Sequence, residues 1–239
     1  MIFRQLFEPA SSTYTYLLAC RETGAAVVID PVAEMVARDL RVLDELGLRL
    51  AYTLETHVHA DHITGAAGLR AATGCKTAGA AMDEIPCRDV GLREGEPLHV
   101  GTIEIHPLFT PGHTGSHHSY RVDTGTHQMV FTGDGLLIDG CGRTDFQSGD
   151  AATLYRSIHA KLFTLPDDTL VYPGHDYAGR RVSTIGQEKA RNPRLGGGKS
   201  EAEFVAIMAG LNLAYPQKID VAVPGNLQCG AGSAKIPHA

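Results

Sequence analysis

Thr56-His57-Val58-His59-Ala60-Asp61-His62, followed by Ile63-Thr64-Gly65, places three imidazoles and a carboxylate within six residues. A single loop histidine usually just makes a hydrogen bond, but this density of ligating groups is not explained by packing. On its amino side, Leu50-Ala51-Tyr52-Thr53-Leu54 is an apolar, β-branched run of strand length. On its carboxyl side, Gly65-Ala66-Ala67-Gly68-Leu69-Arg70-Ala71-Ala72 reads as a helix opening on small residues. The cluster therefore occupies a strand-to-helix loop at the carboxyl end of a strand, where α/β sheets present ligand sites. His57 and His59 share a direction if the chain is extended there, while Asp61 and His62 follow the turn. Imidazole and carboxylate together suit borderline divalent metals.

Upstream, residues 2–7, 14–20 and 25–30 read as strands, the last closed by Asp30-Pro31. Val36, Leu40, Leu43 and Leu46 form one helical stripe that Gly47 ends. Downstream, residues 75–110 break into short strands and turns, with Leu98–Val100 and Ile103–His106 as a hairpin; His99 and His106 read as surface alternation. Three more strand ends then repeat the design of the histidine loop. Leu108-Phe109 leads into Thr110-Pro111-Gly112-His113, and although His117 and His118 follow, only His113 has its backbone fixed by the Pro-Gly turn. Gln128–Phe131 leads to Gly133-Asp134-Gly135, and Thr169–Tyr172 to Pro173-Gly174-His175-Asp176. An aspartate in such a turn is often only a turn former, and the recurrence is what favours a ligand role.

Asp150–Phe163 reads as a helix, residues 178–199 as a basic loop, and Ser200-Glu201-Ala202-Glu203 as a capping box opening a helix to about Gly210. The remaining tail is expected to wrap back on the body. A β-rich stretch followed by a helix occurs twice, which hints at an αββα sandwich of class α/β. The expected organisation is a core over 1–178 and an extension over 179–239 packed on it as part of the same domain.

At 239 residues, the chain is long enough to bury a large core. A net charge of −6 and the lack of any basic run leave no footprint for nucleic acid. No apolar run is long enough to span a bilayer, and the N-terminus goes straight into a strand pattern without a signal-peptide core. Five cysteines, odd in number, scattered and never C-x-x-C, argue against a disulfide framework and fit a reducing cytosol.

The T-H-x-H-x-D-H loop, a lone downstream histidine, an aspartate after a strand and a final histidine together resemble the metallo-β-lactamase superfamily, from about residue 3 to 178. Within it, Glu55–Gly65, Gly140-Cys141-Gly142-Arg143-Thr144-Asp145-Phe146-Gln147, Tyr172–Tyr177, Asn192-Pro193-Arg194-Leu195, Ala222–Asn226 and Cys229-Gly230 resemble the persulfide dioxygenases of the ethylmalonic encephalopathy protein group. The resemblance implies an αββα fold and one Fe(II) per chain held by His57, His113 and Asp134. His59, Asp61, His62 and His175 match positions that bind a second metal in di-metal relatives and are outer groups in the dioxygenases. Spacing alone leaves one metal or two open. The implied reaction takes glutathione persulfide, O2 and water to sulfite and glutathione. A homodimer is implied as well, and the absence of an organellar-type leader implies a cytoplasmic member.

Glutathione carries two carboxylates, so its site needs cations and amide donors. Arg143 is the first choice because its loop follows the Asp134 strand. Asp145 is expected to hold it, and Tyr177, Arg191 and Arg194 are further candidates. Asp176 or Tyr177 is expected to donate a hydrogen bond near the substrate. Cys141 and Cys229 read as buried small residues, with persulfide-acceptor or oxidation-sensor roles as the alternative. The rival activity is a glyoxalase II-type hydroxyacylglutathione thioesterase with two metals. A protein with a purely structural metal is a third reading, disfavoured because no cysteine lies in the motif.

Overall fold

Strands buried on both faces build the first of two units. The computed structural model describes residues 1–231. Unit one comprises Met1–Leu92, Leu98–Glu104 and the chain from Tyr215 onward; unit two comprises Arg93–Pro97 and Ile105–Ala214. In unit one, β1 (Ile2–Glu8), β2 (Thr13–Ala19) and β3 (Ala25–Ile29) form an antiparallel meander. Every residue of β2 and β3 is buried, as expected of strands covered on both sides. Helix α1 (Val36–Glu45) then returns the chain to β4 (Arg49–Leu54), which lies parallel to β3. The Val36, Leu40 and Leu43 stripe packs against Leu17, Val28 and Leu50, and Gly47 ends the helix at φ +62°. Helix α2 (Ala66–Thr73), β5 (Lys76–Ala80) and β6 (Val90–Leu92) complete a sheet of order β1-β2-β3-β4-β5-β6. β7 (Leu98–Val100) follows.

Asp39 sits on the buried face of α1, with Arg38 Nη2 2.9 Å away and its own Oδ2 lacking a hydrogen bond. Burial pushes its carboxyl up to about 6 against the pull of Arg38. A raised acid favours the protonated folded state, so stability falls as pH climbs from about 4 to about 6 and stays lowered above that. Asp39→Asn is expected to gain up to about 3 kcal/mol at pH 7 and little at pH 4, measured by urea unfolding at both pH values. Equal effects at both would remove this explanation.

Beyond Arg93–Pro97, unit two resumes within β8 (Ile103–Phe109), which pairs antiparallel with β9 (His118–Asp123), as β9 does with β10 (Gln128–Gly133). Helix α3 (Ala151–Ser157), capped by Asp150 accepting from Thr153 N, continues as a wider π turn over Ile158–Leu162. Leu154, Ile158 and Leu162, spaced by four in sequence, are fully buried in one cluster, so one buried stripe continues through the change of helix type. β11 (Leu170–Pro173) pairs parallel with β10, and β12 (Ser183–Thr184) antiparallel with β11.

The basic stretch after His175 is not all loop. It contains β12 and α4 (Ile185–Arg191), whose start is capped by Thr184 Oγ1 accepting from Gln187 N. Seven residues are too few to show a helical stripe, and the overlooked signal was the Thr-x-x-Gln cap. Buried Glu188 ties this region down by accepting from Asp139 N at 3.0 Å, Asn192 Nδ2 at 2.8 Å and the Ser183 hydroxyl. Helix α5 (Glu201–Ala209) opens on the expected Ser200–Glu203 capping box. The tail then adds α6 (Ile219–Asn226) to unit one. Among the described residues, no helix is long and apolar enough to cross a membrane.

The cysteine reading needs correction. Cys87 and Cys229 form a disulfide across 142 residues, while Cys20, Cys75 and Cys141 are free and buried. Count and spacing reveal clustered frameworks, and a single bond between distant residues that only the fold brings together leaves no such trace.

Candidate metal centre

In unit one, the histidine loop is organised by two carboxylates that sequence reasoning assigned no role. Asp30, at the end of β3, accepts from Thr56 N at 2.8 Å and from the Thr56 hydroxyl at 2.9 Å. Because that hydroxyl gives its one hydrogen to Asp30, its oxygen must accept from His57 Nδ1, 2.9 Å away. The His57 tautomer follows: Nδ1 carries the proton and Nε2 presents the lone pair. This is how outer partners prepare a metal-binding imidazole. His59 Nε2 lies 3.2 Å from Asp30 Oδ1 and 3.3 Å from Glu55 Oε2. Burial by itself would lower its pKa, but the charge of Asp30, with Glu55 behind it, raises it well above the usual histidine value. His62 Nδ1 donates to Asp61 Oδ2 at 2.9 Å. The rings of His57, His59 and His62 follow one another at centroid separations of 4.2 and 4.3 Å. Candidate ligand atoms of His59, Asp61 and His62 all lie within 4.8 Å of one another. The missed signal for Asp30 was its place at a strand end beside the motif strand, the same placement that singled out Asp134.

In unit two, the Pro111-Gly112 turn aims His113. Gly112 has φ +131°, and a Cβ there would fall 2.3 Å from Leu154 Cα, so only glycine fits. His113 Nδ1 donates to Arg143 O at 2.7 Å, so Nε2 carries the lone pair, 3.7 Å from Asp134 Oδ2. The parallel pairing of β10 and β11 sets Asp134 beside His175, and His175 Nδ1 donates to Asp134 Oδ1 at 2.6 Å. Gly174 allows this approach, since a Cβ there would lie 2.7 Å from that same oxygen. His113, Asp134 and His175 thus converge within one unit. His117 has structural work instead: it accepts from Gly135 N at 3.2 Å and meets the Thr110 hydroxyl at 3.0 Å.

The other candidates divide. Arg143 makes a two-pronged pair with Asp145 at 2.6 and 2.7 Å, donates to Ala214 O at 2.8 Å and lies over the Phe146 ring. Tyr177 is 77% exposed with its ring stacked beside that of His175. Arg191 faces Asp139 at 3.5 Å, and Arg194 donates to Cys141 O at 2.7 Å, which makes it a brace for the Gly140–Gln147 loop. Asp176 does not have the environment of a donor. Burial alone would raise its pKa, yet hydrogen bonds from Arg180 and Ala178 hold it below the usual carboxylate range. It is an ionised acceptor fixing the turn after His175, with Arg180 Nη2 at 2.8 Å and Ala178 N at 2.9 Å. Burial pushes the Cys141 thiol up to about 11, which makes it inert, and Cys229 is in the disulfide.

Residues 9–175 match the family model of the metallo-beta-lactamase superfamily. The chain is 49% identical to human persulfide dioxygenase ETHE1, mitochondrial, over 96% of its own length and 89% of that protein. It is 40% identical to a hydroxyacylglutathione hydrolase of Rhodospirillum rubrum over 77% of its length and 70% of the hydrolase. Among solved structures, ETHE1 from Myxococcus xanthus matches with a TM-score of 0.92 and 52% identity, covering 96% of this chain and all of that one. The α/β, metallo-β-lactamase-like fold class expected from the sequence is borne out by these matches. This chain belongs to the metallo-β-lactamase superfamily and, within it, to the persulfide dioxygenase family.

Proposed function

We propose that this chain is a persulfide dioxygenase that converts glutathione persulfide, O2 and water to sulfite and glutathione. The observation that carries this reading is 49% identity across nearly the whole chain to a persulfide dioxygenase, against 40% over a shorter stretch to a thioesterase. His57, His113 and Asp134 would hold one Fe(II), with His59, Asp61, His62 and His175 as outer groups. The donor set fits that ion, because both imidazoles are held in the Nε2-ligating tautomer by their own Nδ1 hydrogen bonds. When bound, iron(II) would supply open positions for persulfide and dioxygen and pass electron density from the sulfur, which is oxidised, to triplet dioxygen.

In unit two, Asp134 Oδ1 accepts from His175 and Oδ2 lies on the His113 side, so Asp134 and His113 would meet the ion while His175 orients the carboxylate. The chain's own residues otherwise position the substrate. Arg143, oriented by Asp145, keeps donors on both Nη atoms for a glutathione carboxylate. Tyr177 offers an exposed ring beside His175. Charge-assisted hydrogen bonds are worth roughly 1.5–3 kcal/mol, so Arg143→Ala should raise KM on the order of tenfold while kcat changes less. A kcat loss with unchanged KM would put Arg143 in the chemistry instead.

The test of function is an oxygen electrode with iron-loaded protein and glutathione persulfide, with sulfite measured in parallel. Oxygen uptake matched by sulfite is expected. No uptake, together with hydrolysis of a hydroxyacylglutathione, would establish the di-metal thioesterase in its place. A cytoplasmic homodimer is part of the proposal and rests on the resemblance; sedimentation at micromolar concentration checks the dimer.

A further inference from the structure

We propose that Asn226 is a positioning residue for the metal loop: its carboxamide sets the backbone course from His59 to Thr64, and thereby the loop's grip on metal. This inference rests on the reading that the loop takes part in metal binding. Asn226 Nδ2 donates to His59 O and to His62 O, both at 2.9 Å, and Oδ1 accepts from Thr64 N at 2.8 Å. The loop lies between β4 and α2, where buried polar backbone groups need partners that regular structure does not supply. One side chain from more than 160 residues away in sequence satisfies three of them. The residue is 6% exposed, so water does not readily replace it.

The chemistry selects a carboxamide. Two carbonyls need a donor and one amide needs an acceptor, all on one planar head. Aspartate would turn an oxygen toward both carbonyls, and alanine would leave all three groups bare. The segment carrying Asn226 is itself built onto the loop. Cys229 O accepts from Ala67 N at 3.0 Å, the Cys87 disulfide anchors Cys229, and Val58 packs with Ile85 and Cys229. Gly230, at φ +77°, lies so close that a Cβ would sit 2.3 Å from Thr64 O. Because all three of these hydrogen bonds go to loop backbone, Asn226 acts through the loop.

The experiment measures metal affinity by competition with a chelator, using zinc(II) alone as a redox-silent probe, and amide hydrogen exchange across residues 57–65. Asn226→Ala and Asn226→Asp should weaken zinc roughly 10–100-fold, as loss of other outer partners does, with Asp the worse of the two. Both should speed exchange at Thr64. Val221→Gly, which weakens the same helix at a side chain that is 65% exposed, should leave affinity within about threefold and serves as the structural control. Wild-type protein gives a check that needs no variant: by linkage, zinc must slow exchange of the Asn226 side-chain amide. Unchanged affinity in both Asn226 variants, or no effect of zinc on that amide, overturns the positioning role while leaving the metal-site reading intact. A wild-type chain that binds no zinc overturns both.

Discussion

His113→Ala is expected to fold and to lose both its metal and its turnover. The ring lies at the end of a turn and not in the packed cluster around Leu154, Ile158 and Phe204, so its removal takes little from the core. What it does remove is an imidazole fixed at both ends, with Nδ1 on Arg143 O and Nε2 facing Asp134. Loss of an outer partner of a metal ligand costs roughly 10–100-fold in affinity or activity; loss of a ligand should exceed that range. The checks are metal content after desalting, oxygen uptake, and the thermal midpoint as the control for folding. A variant that keeps its full metal content and works within about threefold of wild type would exclude His113 from the ligand set.

Gly142→Ala tests whether the Gly140–Gln147 stretch acts through packing. A Cβ at 142 would lie 2.5 Å from Asp134 O, 2.7 Å from His113 Nδ1 and 3.0 Å from Asp134 Cβ. Gly142 N also donates to Asp134 O at 2.7 Å. Alanine therefore cannot be accommodated unless the loop or two metal-site residues move. Overpacking of this kind costs about 1–3 kcal/mol, which for a chain of this size is a drop of about 2–4 °C in Tm per kcal/mol. The larger effect should be on metal affinity, at least comparable to the roughly 10–100-fold loss of an outer partner. Gly140→Ala is the control, since a Cβ there meets only Leu137 Cβ at 4.0 Å. Equal behaviour of the two variants would show that the closeness at 142 has no bearing on the site.

Strand ends were the legible part of this chain. His57, His113, Asp134 and His175 each follow an apolar run with a glycine or a turn at its end, and the structure puts each beyond β4, β8, β10 and β11 as read. Periodicity also found α1, and the Ser200–Glu203 capping box found α5. What stayed hidden depends on contacts between residues far apart in sequence. The roles of Asp30 and Glu55 come from the pairing of β3 with β4, which no single run of sequence displays. The Cys87–Cys229 bond and the docking of Asn226 depend on where the tail returns. Sequence offered Asp176 as a donor, and only the Arg180 and Ala178 hydrogen bonds reveal an acceptor. Helix α4 is too short for its stripe to register and is marked only by its cap.

The most direct test of the central claim is the metal content of anaerobically purified, iron-reconstituted protein, measured by elemental analysis against protein concentration. The proposed single Fe(II) predicts one iron per chain. Two tightly held metals per chain would mean that Asp134 bridges a pair of ions, and would contradict the single-iron dioxygenase described here.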